Sequence, residues 1–365
     1  MDKIKNVSFL KFISISVGLV IVFIGIVPFH TQALSLSPIR YEISGNPGDV
    51  LQEQLNLRNE TSNPETYYPH YYNFQAEGES GVPTFVAPKD GLGTWIAGPA
   101  GISLAPGDNQ TIVFVISIPK DAHPGGYFGA LLYGTTPPRQ DGAQLAIGSE
   151  TGPIILLRVN GDIKESASIL EFNTKDNAHF FNALPVSMYY RFQNTGADRT
   201  KPLGDLTIRN IFGIKAKKQT ANPVEGNVLP GQIRRIDLSW QKKDVASSPL
   251  TYADRSFFEQ VSYEWHNFAF GYFTANLDLT YGKDNNQTSH SEVKFTVFPW
   301  QLLLVILIIL FFIFIILKTL MRKYNHWIIN QAEIALEHEH EVIEKREHKH
   351  HHEEHEEEDS LKHRV

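Results

Sequence analysis

Two groups of side chains in this chain have the types and spacing that binding chemistry needs. Tyr67, Tyr68, Tyr71 and Tyr72 crowd around Pro69 and His70 and run on into Asn73 and Phe74. Alternation along a strand places Tyr68 and Tyr72 on one face with His70 and Phe74, and Tyr67 and Tyr71 on the other. A tyrosine ring carries apolar area with a hydrogen-bonding tip, so an outward set offers a ligand-binding platform to sugar or protein. The competing assignment is a tyrosine-rich strand with one face in a core, in keeping with the strand propensity of Tyr. The second group is His348, His351, His352 and His355, within an array of eight histidines after position 330. On a helix, His348/His352 and His351/His355 lie four residues apart, a spacing at which two imidazoles can chelate Zn²⁺ or Ni²⁺ as a metal site. The same run has no apolar stripe after Ile343 and reads equally as a solvated helix or a disordered segment.

Covalent chemistry has no comparable signature. The chain contains no Gly-x-Ser-x-Gly elbow, His-Glu-x-x-His pair, phosphate-binding loop or dinucleotide fingerprint. His70, His179 and His266 are scattered, and an isolated His in a β protein is ordinarily a surface or hydrogen-bonded residue. With no cysteine anywhere, a thiol nucleophile and thiolate metal sites are excluded. The expectation is a protein that is not an enzyme and needs no cofactor. Nucleic acid is set aside on charge: the net value is −7, and neither residues 34–297 nor the tail concentrates positive charge.

Position in the cell is read from two apolar segments. Lys3, Lys5 and Lys11 precede an apolar stretch over 12–29, then His30-Thr31-Gln32-Ala33, the order of a secretory signal peptide over 1–33 with a cut near Thr31 or Ala33. An uncleaved N-terminal anchor is the alternative. The second segment, 298–317, has no charge over about 20 residues, enough for a helix at ~1.5 Å per residue to cross a ~30 Å hydrocarbon core. Lys318, Arg322 and Lys323 follow at once, marking the cytoplasmic side. The expected arrangement is a single-pass protein of the cell membrane, with a transmembrane helix over 298–320, residues 34–297 outside and a His/Glu-rich tail, 321–365, in the cytoplasm. Trp327, Ile328, Ile329, Ile334, Ala335 and Leu336 could form a short amphipathic helix against the inner leaflet. A cysteine-free exported region must be held by burial alone, which favours a bacterial surface.

Residues 34–297 exceed a usual single domain of ~150 residues. They read as β throughout, in short alternating runs broken by Pro, Gly and Asn. Over 111–118, Ile112, Phe114, Ile116 and Ile118 share one face until Pro119 ends the run. Other runs are 39–43, 55–58, 129–133 and 154–159. Turn signals recur in the two halves: Leu57-Arg58-Asn59 with Leu104-Ala105-Pro106-Gly107, and Phe192-Gln193-Asn194 with Leu229-Pro230-Gly231. In each, Asn suits an Asx turn at a strand end and Pro-Gly preforms a turn before the next strand. The fold class is therefore all-β, two tandem immunoglobulin-like β-sandwiches over 34–160 and 161–297. The polar step Asn160-Gly161-Asp162 is the expected hinge, and the polar stretch 139–152 a projecting loop. The aromatic run 268–273, with Trp265 before it, is expected to pack in the membrane-proximal core.

The residues Thr94-Trp95-Ile96, Ile102-Ser103-Leu104-Ala105-Pro106-Gly107 and Ile116-Ser117-Ile118-Pro119-Lys120-Asp121-Ala122-His123-Pro124-Gly125-Gly126-Tyr127-Phe128-Gly129 carry a family likeness. This run resembles the N-terminal module of the bacterial WxL-interacting surface proteins. The likeness covers 34–160 by motif and the rest by architecture. It implies a signal peptide, two immunoglobulin-like sandwiches, a membrane helix and a charged tail, with the first module associated with peptidoglycan and the second with partner surface proteins. No individual binding residue is carried over. The function expected is non-covalent cell-wall binding or adhesion at the cell surface, holding wall polymer or another surface protein near the membrane. The alternative is a single-pass receptor or sensor whose tail answers to metal or recruits a cytoplasmic partner; the membrane helix lacks a Gly-x-x-x-Gly dimer face, which weighs against it.

Overall fold

The computed structural model describes residues 34–138, 150–242 and 252–362. The proposed signal segment and most of the 139–152 loop lie outside the described residues. The chain is mostly β and ends in one long apolar-to-polar helix. Before position 160 it forms β1 (Leu34–Ser37), β2 (Arg40–Gly45), β3 (Val50–Asn59), β4 (Glu65–Glu77), β5 (Val82–Val86), a one-turn helix α1 (Leu92–Trp95), β6 (Ile96–Ala97), β7 (Ile102–Leu104), β8 (Asn109–Ser117), β9 (Gly125–Gly134) and β10 (Ile154–Val159). After it come β11 (Ala167–Thr174), β12 (Phe180–Phe181), β13 (Val186–Asn194), β14 (Leu203–Asn210), β15 (Lys215–Thr220), β16 (Ile233–Trp240), α2 (Phe257–His266), β17 (Gly271–Tyr281), β18 (Gln287–Val297) and α3 (Trp300–Lys362).

The strands before 160 form sheets ordered β1-β3-β8-β6 and β2-β10-β9-β4-β5, with β7 paired to β4; those after it form β11-β13-β16 and β12-β18-β17-β14-β15. The two halves share this connectivity apart from the short β6 and β7, which have no counterpart in the second half. In each the first strand is split: β1 and β11 lie antiparallel in one sheet, while β2 and β12 pair parallel with the last strand of the other. Splitting lets a single stretch of chain supply the edge strand of both sheets.

The turn-residue repeat is reproduced atom by atom. Asn59, fully buried, donates from Nδ2 to the carbonyls of Asn63 (2.8 Å) and Leu104 (3.1 Å), and its Oδ1 accepts from Thr61 N–H (2.9 Å). Asn194, equally buried, donates from Nδ2 to the carbonyls of Asp198 (2.7 Å) and Val228 (2.8 Å), and its Oδ1 accepts from Gly196 N–H (2.9 Å). The following Pro-Gly turn is tied to the same residue each time: Gly107 N–H donates to the Asn59 carbonyl and Gly231 N–H to the Asn194 carbonyl. Asn is required here because one side chain must donate twice and accept at once, in a place where water cannot substitute.

Each half has its own core. The first gathers Tyr41, Leu55, Leu57, Phe114, Ile116, Leu131, Tyr133, Ile155 and Leu157; the second gathers Tyr190, Phe192, Leu206, Ile208, Trp240, Phe273, Leu277 and Phe295. The alternation read over 111–118 holds, with Ile112, Phe114, Ile116 and Ile118 buried and Val113 exposed. Between β18 and α3 stand only Phe298 and Pro299, and α3 opens on the charge-free segment, long and apolar enough to cross a membrane.

Two expectations are corrected. The step at 160–162 is not a hinge, because the halves are docked across it, as described below. The aromatic run is not mainly core: Phe273 and Ala269 are buried, whereas Trp265, Phe268, Phe270 and Tyr272 are exposed. Strand alternation sends Phe273 inward and Tyr272 outward, and Trp265 lies on the side of α2 that faces away from the protein.

Candidate binding surface

Strand β4 obeys its alternation. Tyr67 is buried in the first core and its hydroxyl donates to Asn59 Oδ1 (3.0 Å). Tyr71 packs half-buried against the same core, its oxygen accepting Gly98 N–H (2.9 Å). On the opposite face Tyr72 is buried with Ala130 and Leu132, its ring 6.0 Å from that of Phe85, and Phe74 is buried with Leu156 and Leu229. Tyr68, beside the backbone of Gly101, is half-buried on this outer face. The structure therefore divides the four tyrosines between two faces and leaves Tyr68 and Tyr71 as those that keep solvent access.

Burial governs the acidity of Tyr67, Tyr71 and Tyr72. The Tyr72 phenol is pushed up to about 12, first by desolvation and then by the nearby Glu150 carboxylate. Tyr67 and Tyr71 are raised, chiefly by desolvation, with Gly98 N–H pulling Tyr71 the other way. All remain neutral hydrogen-bonding groups rather than bases. Next to Tyr68 and Tyr72 stands a pair that the sequence does not signal. His70 Nε2 meets the Thr136 carbonyl at 2.9 Å, and its Nδ1 lies 3.5 Å from the Glu150 carboxylate. The outer face of β4 thus presents Tyr68, His70 and Glu150 at the rim of an apolar patch.

The lower part of that patch is covered by the second half of the chain, through Leu229. Around this contact runs a polar junction. Arg158, at the end of β10, donates to Glu165 (2.9 Å) and to Asp198 (2.7 Å), the latter almost fully buried. Glu42 faces Arg199 and Lys201 and accepts from Asn227 Nδ2 (3.0 Å). Glu79, on the β4–β5 turn, is clasped by the Arg191 guanidinium through Nε and Nη2, and its carbonyl accepts Arg235 N–H (2.9 Å). Gly126 N–H donates to the Ala197 carbonyl (2.9 Å). The Arg191 hydrogen bonds hold the Glu79 carboxyl below the ordinary carboxylate range. Fork-shaped Arg–carboxylate contacts fix orientation as well as distance, so this set of bonds ties the strands before 160 to those after it.

At the other end of the second sandwich, α2 abuts the start of α3. Glu264 is fully buried; it accepts Leu302 N–H (2.7 Å) and the Tyr252 hydroxyl (2.5 Å). Gln301 bonds both Tyr252 and Gln260. A carboxyl group placed at a helix N-terminus meets unpaired N–H groups and the positive end of the helix dipole. This cluster joins the β region of the chain to the apolar helix.

An open depression of about 530 Å³ is lined by Phe172, His179, Phe180, Tyr272 and Lys294, but His179 Nδ1 is engaged with the Lys294 carbonyl. Among the described residues no group of three His, Asp or Glu converges to hold a metal. His348, His351, His352 and His355 lie on the α3 backbone, and their side chains fall outside the described residues.

No protein-family profile and no curated protein matches this chain. Among solved structures it is similar to the class 5 fimbriae chaperone CfaA, at a TM-score of 0.35 and 11% identity over 71% of this chain and 98% of that one. It is also similar to the CsuC–CsuE chaperone–tip adhesion subunit pre-assembly complex of Acinetobacter baumannii (TM-score 0.31, 10% identity, 56% of this chain and 89% of that one). A third is the CupB2 chaperone of Pseudomonas aeruginosa (TM-score 0.29, 8% identity, 71% and 98%).

Proposed function

We propose that this chain is a membrane-anchored cell-surface binding protein whose two β-sandwiches, immunoglobulin-like in kind, hold cell-wall polymer or another surface protein without covalent chemistry. The observation that carries the reading is the docking of the two sandwiches into one body delivered to the apolar helix with two intervening residues. A protein of this build tethers its ligand at the membrane, where a raised local concentration makes a weak site effective. The basic residues after the apolar segment support an outside position for 34–297 and a cytoplasmic tail. The likeness of 94–129 to the WxL-interacting proteins supports the same division, with the first module nearer the wall and Tyr68, His70 and Glu150 as the polar groups at its rim.

The test is to incubate the detergent-solubilised full-length protein with purified wall and, separately, to cross-link it in native envelopes. Pelleting with wall, or one dominant cross-linked surface protein, is the expected result. Release of soluble wall fragments would instead reveal a hydrolase, and recovery of neither wall nor partner would end the proposal. One observation favours a second reading as a sensor: α3 runs unbroken from the Glu264 contact into the His/Glu-rich tail. Such a helix links an outer binding event mechanically to the tail. That reading requires ligand addition outside to change cross-linking or metal uptake by the tail inside.

A further inference from the structure

The membrane-proximal end of the second sandwich exposes apolar side chains from two separate elements. Register fixes where they lie: Asn210 pairs with Phe273, Phe273 with Phe295, and Gly271 with Val297. The β14–β15 turn, 211–214, therefore sits at the end of the sheet from which α3 departs. Its tip carries Ile211 (71% exposed), Phe212 (82%) and Ile214. The turn is built rather than loose: Asn210 Oδ1 accepts both Phe212 N–H (3.1 Å) and Ile214 N–H (2.9 Å), Gly213 takes φ +76°, and Arg209 donates to the Gly213 carbonyl (3.0 Å). On α2, Phe258 (78% exposed) and Trp265 (65%) are seven residues apart and so share one helix face. Glu264 and Gln260 hold α2 against α3, and Phe270 packs on Phe298, ring centroids 5.8 Å apart.

We infer that this end is a lipid-docking surface: the 211–214 tip and the Phe258/Trp265 face of α2 seat in the interfacial layer of the same bilayer that α3 crosses. The inference rests on the proposed membrane crossing. Three observations choose lipid over another occupant. Both elements lie at the end of the fold where the charge-free start of α3 departs, so a membrane around that segment approaches these side chains. Its composition is aromatic, with Trp265, Phe298 and Trp300 at the level where such rings settle between headgroups and acyl chains. Arg209, Lys215, Lys217 and Lys218 flank the apolar tip, the pairing of basic and apolar groups that anionic headgroups attract. Large apolar side chains exposed together at one end of a fold mark an interaction site.

The absence of cysteine makes the test direct. Single substitutions Phe212→Cys, Phe258→Cys and Asp284→Cys, the last on the exposed β17–β18 turn at the opposite end of the sheet, each take one environment-sensitive NBD fluorophore on the full chain. The protein is reconstituted in 3:1 phosphatidylcholine–phosphatidylglycerol vesicles containing acyl-chain spin-labelled lipid. The expected result is at least two-fold quenching at 212 and 258 and none at 284. Quenching at 212 and 258 no greater than at 284, in protein that resists alkaline extraction, would overturn the docking surface while leaving the crossing intact. Shielding that grows with protein density and is not quenched by lipid would assign the surface to a second copy and also overturn it. Extraction by alkali would remove the crossing itself, and the inference with it.

Discussion

Removing either buried asparagine should unfold its own sandwich at a cost readable from the bonds lost. Asn59→Ala removes two donated and two accepted hydrogen bonds, the second acceptor contact being to Tyr67; Asn194→Ala removes three. At about 1 kcal/mol net per bond, the losses are about 4 and about 3 kcal/mol, and carbonyls left dry make these lower bounds. For a domain of this size, roughly 4 °C of Tm accompanies each kcal/mol, so melting should fall by roughly 15 °C and roughly 12 °C. Asn59→Asp separates hydrogen bonding from packing: it keeps the shape and both accepted bonds but sets a carboxylate against the Asn63 and Leu104 carbonyls. It should therefore cost at least as much as Asn59→Ala. The assay is thermal unfolding of the full-length protein in detergent by circular dichroism, with hydrogen exchange to show which sandwich opens. Asn109→Ala, at an exposed site, should stay within about 0.5 kcal/mol. An Asn59→Ala protein as stable as Asn109→Ala, or an Asn59→Asp protein as stable as the parent, would refute the reasoning.

Glu264→Ala leaves Leu302 N–H and the Tyr252 hydroxyl without their acceptor; a local loss of about 2–3 kcal/mol should appear as faster hydrogen exchange over 300–304 and easier proteolysis near 252–256. Glu79 has a depressed carboxyl in the folded state, so its contribution to docking is whole above the unreacted value of 4.5 and disappears as pH falls through the lower folded value. Protection of the Arg235 amide, which donates to the Glu79 carbonyl, should decline over that acid range, and Glu79→Gln should abolish the pH dependence. Gly161→Ala places a Cβ 2.3 Å from Pro124 Cγ at φ +151° and should weaken the junction by about 1–3 kcal/mol, measurable as a lower urea midpoint; an unchanged midpoint would show that the linker relaxes freely.

The sandwiches were legible where strands alternate cleanly and where turn residues recur. The 111–118 run carried its own face assignment, and the spacing of Asn59 and Asn194 to their Pro-Gly turns foretold a repeat that extends to single hydrogen bonds. The division of the β4 tyrosines between two faces was equally readable. What the strand could not reveal is what covers its outer face, because Leu229 and Glu150 arrive from distant segments. The docked junction was hidden for the same reason: Glu42, Arg158, Asp198 and Glu79 are ordinary charges in sequence, and only folding brings each to its partner. The aromatic run 268–273 was misread because a stretch with aromatics at almost every position has no polar face to mark the outside. The histidine tail offered spacing alone, and spacing does not choose between a ligand set and a solvated helix.

Under the proposed membrane crossing, the passage from Val297 to Trp300 without a spacer, together with the Arg-clasped junction, would fix how far from the bilayer each part of the β region stands. A protein on a flexible stalk samples a volume and captures whatever enters it. In that arrangement Tyr68 and His70 would occupy one stratum above the membrane, and His179 and Lys294 another, closer to the start of α3. Partners are thereby sorted by the altitude of their own contact sites before affinity is tested, and lengthening the 298–299 step by a few residues would shift that selection without altering any contact within the sandwiches.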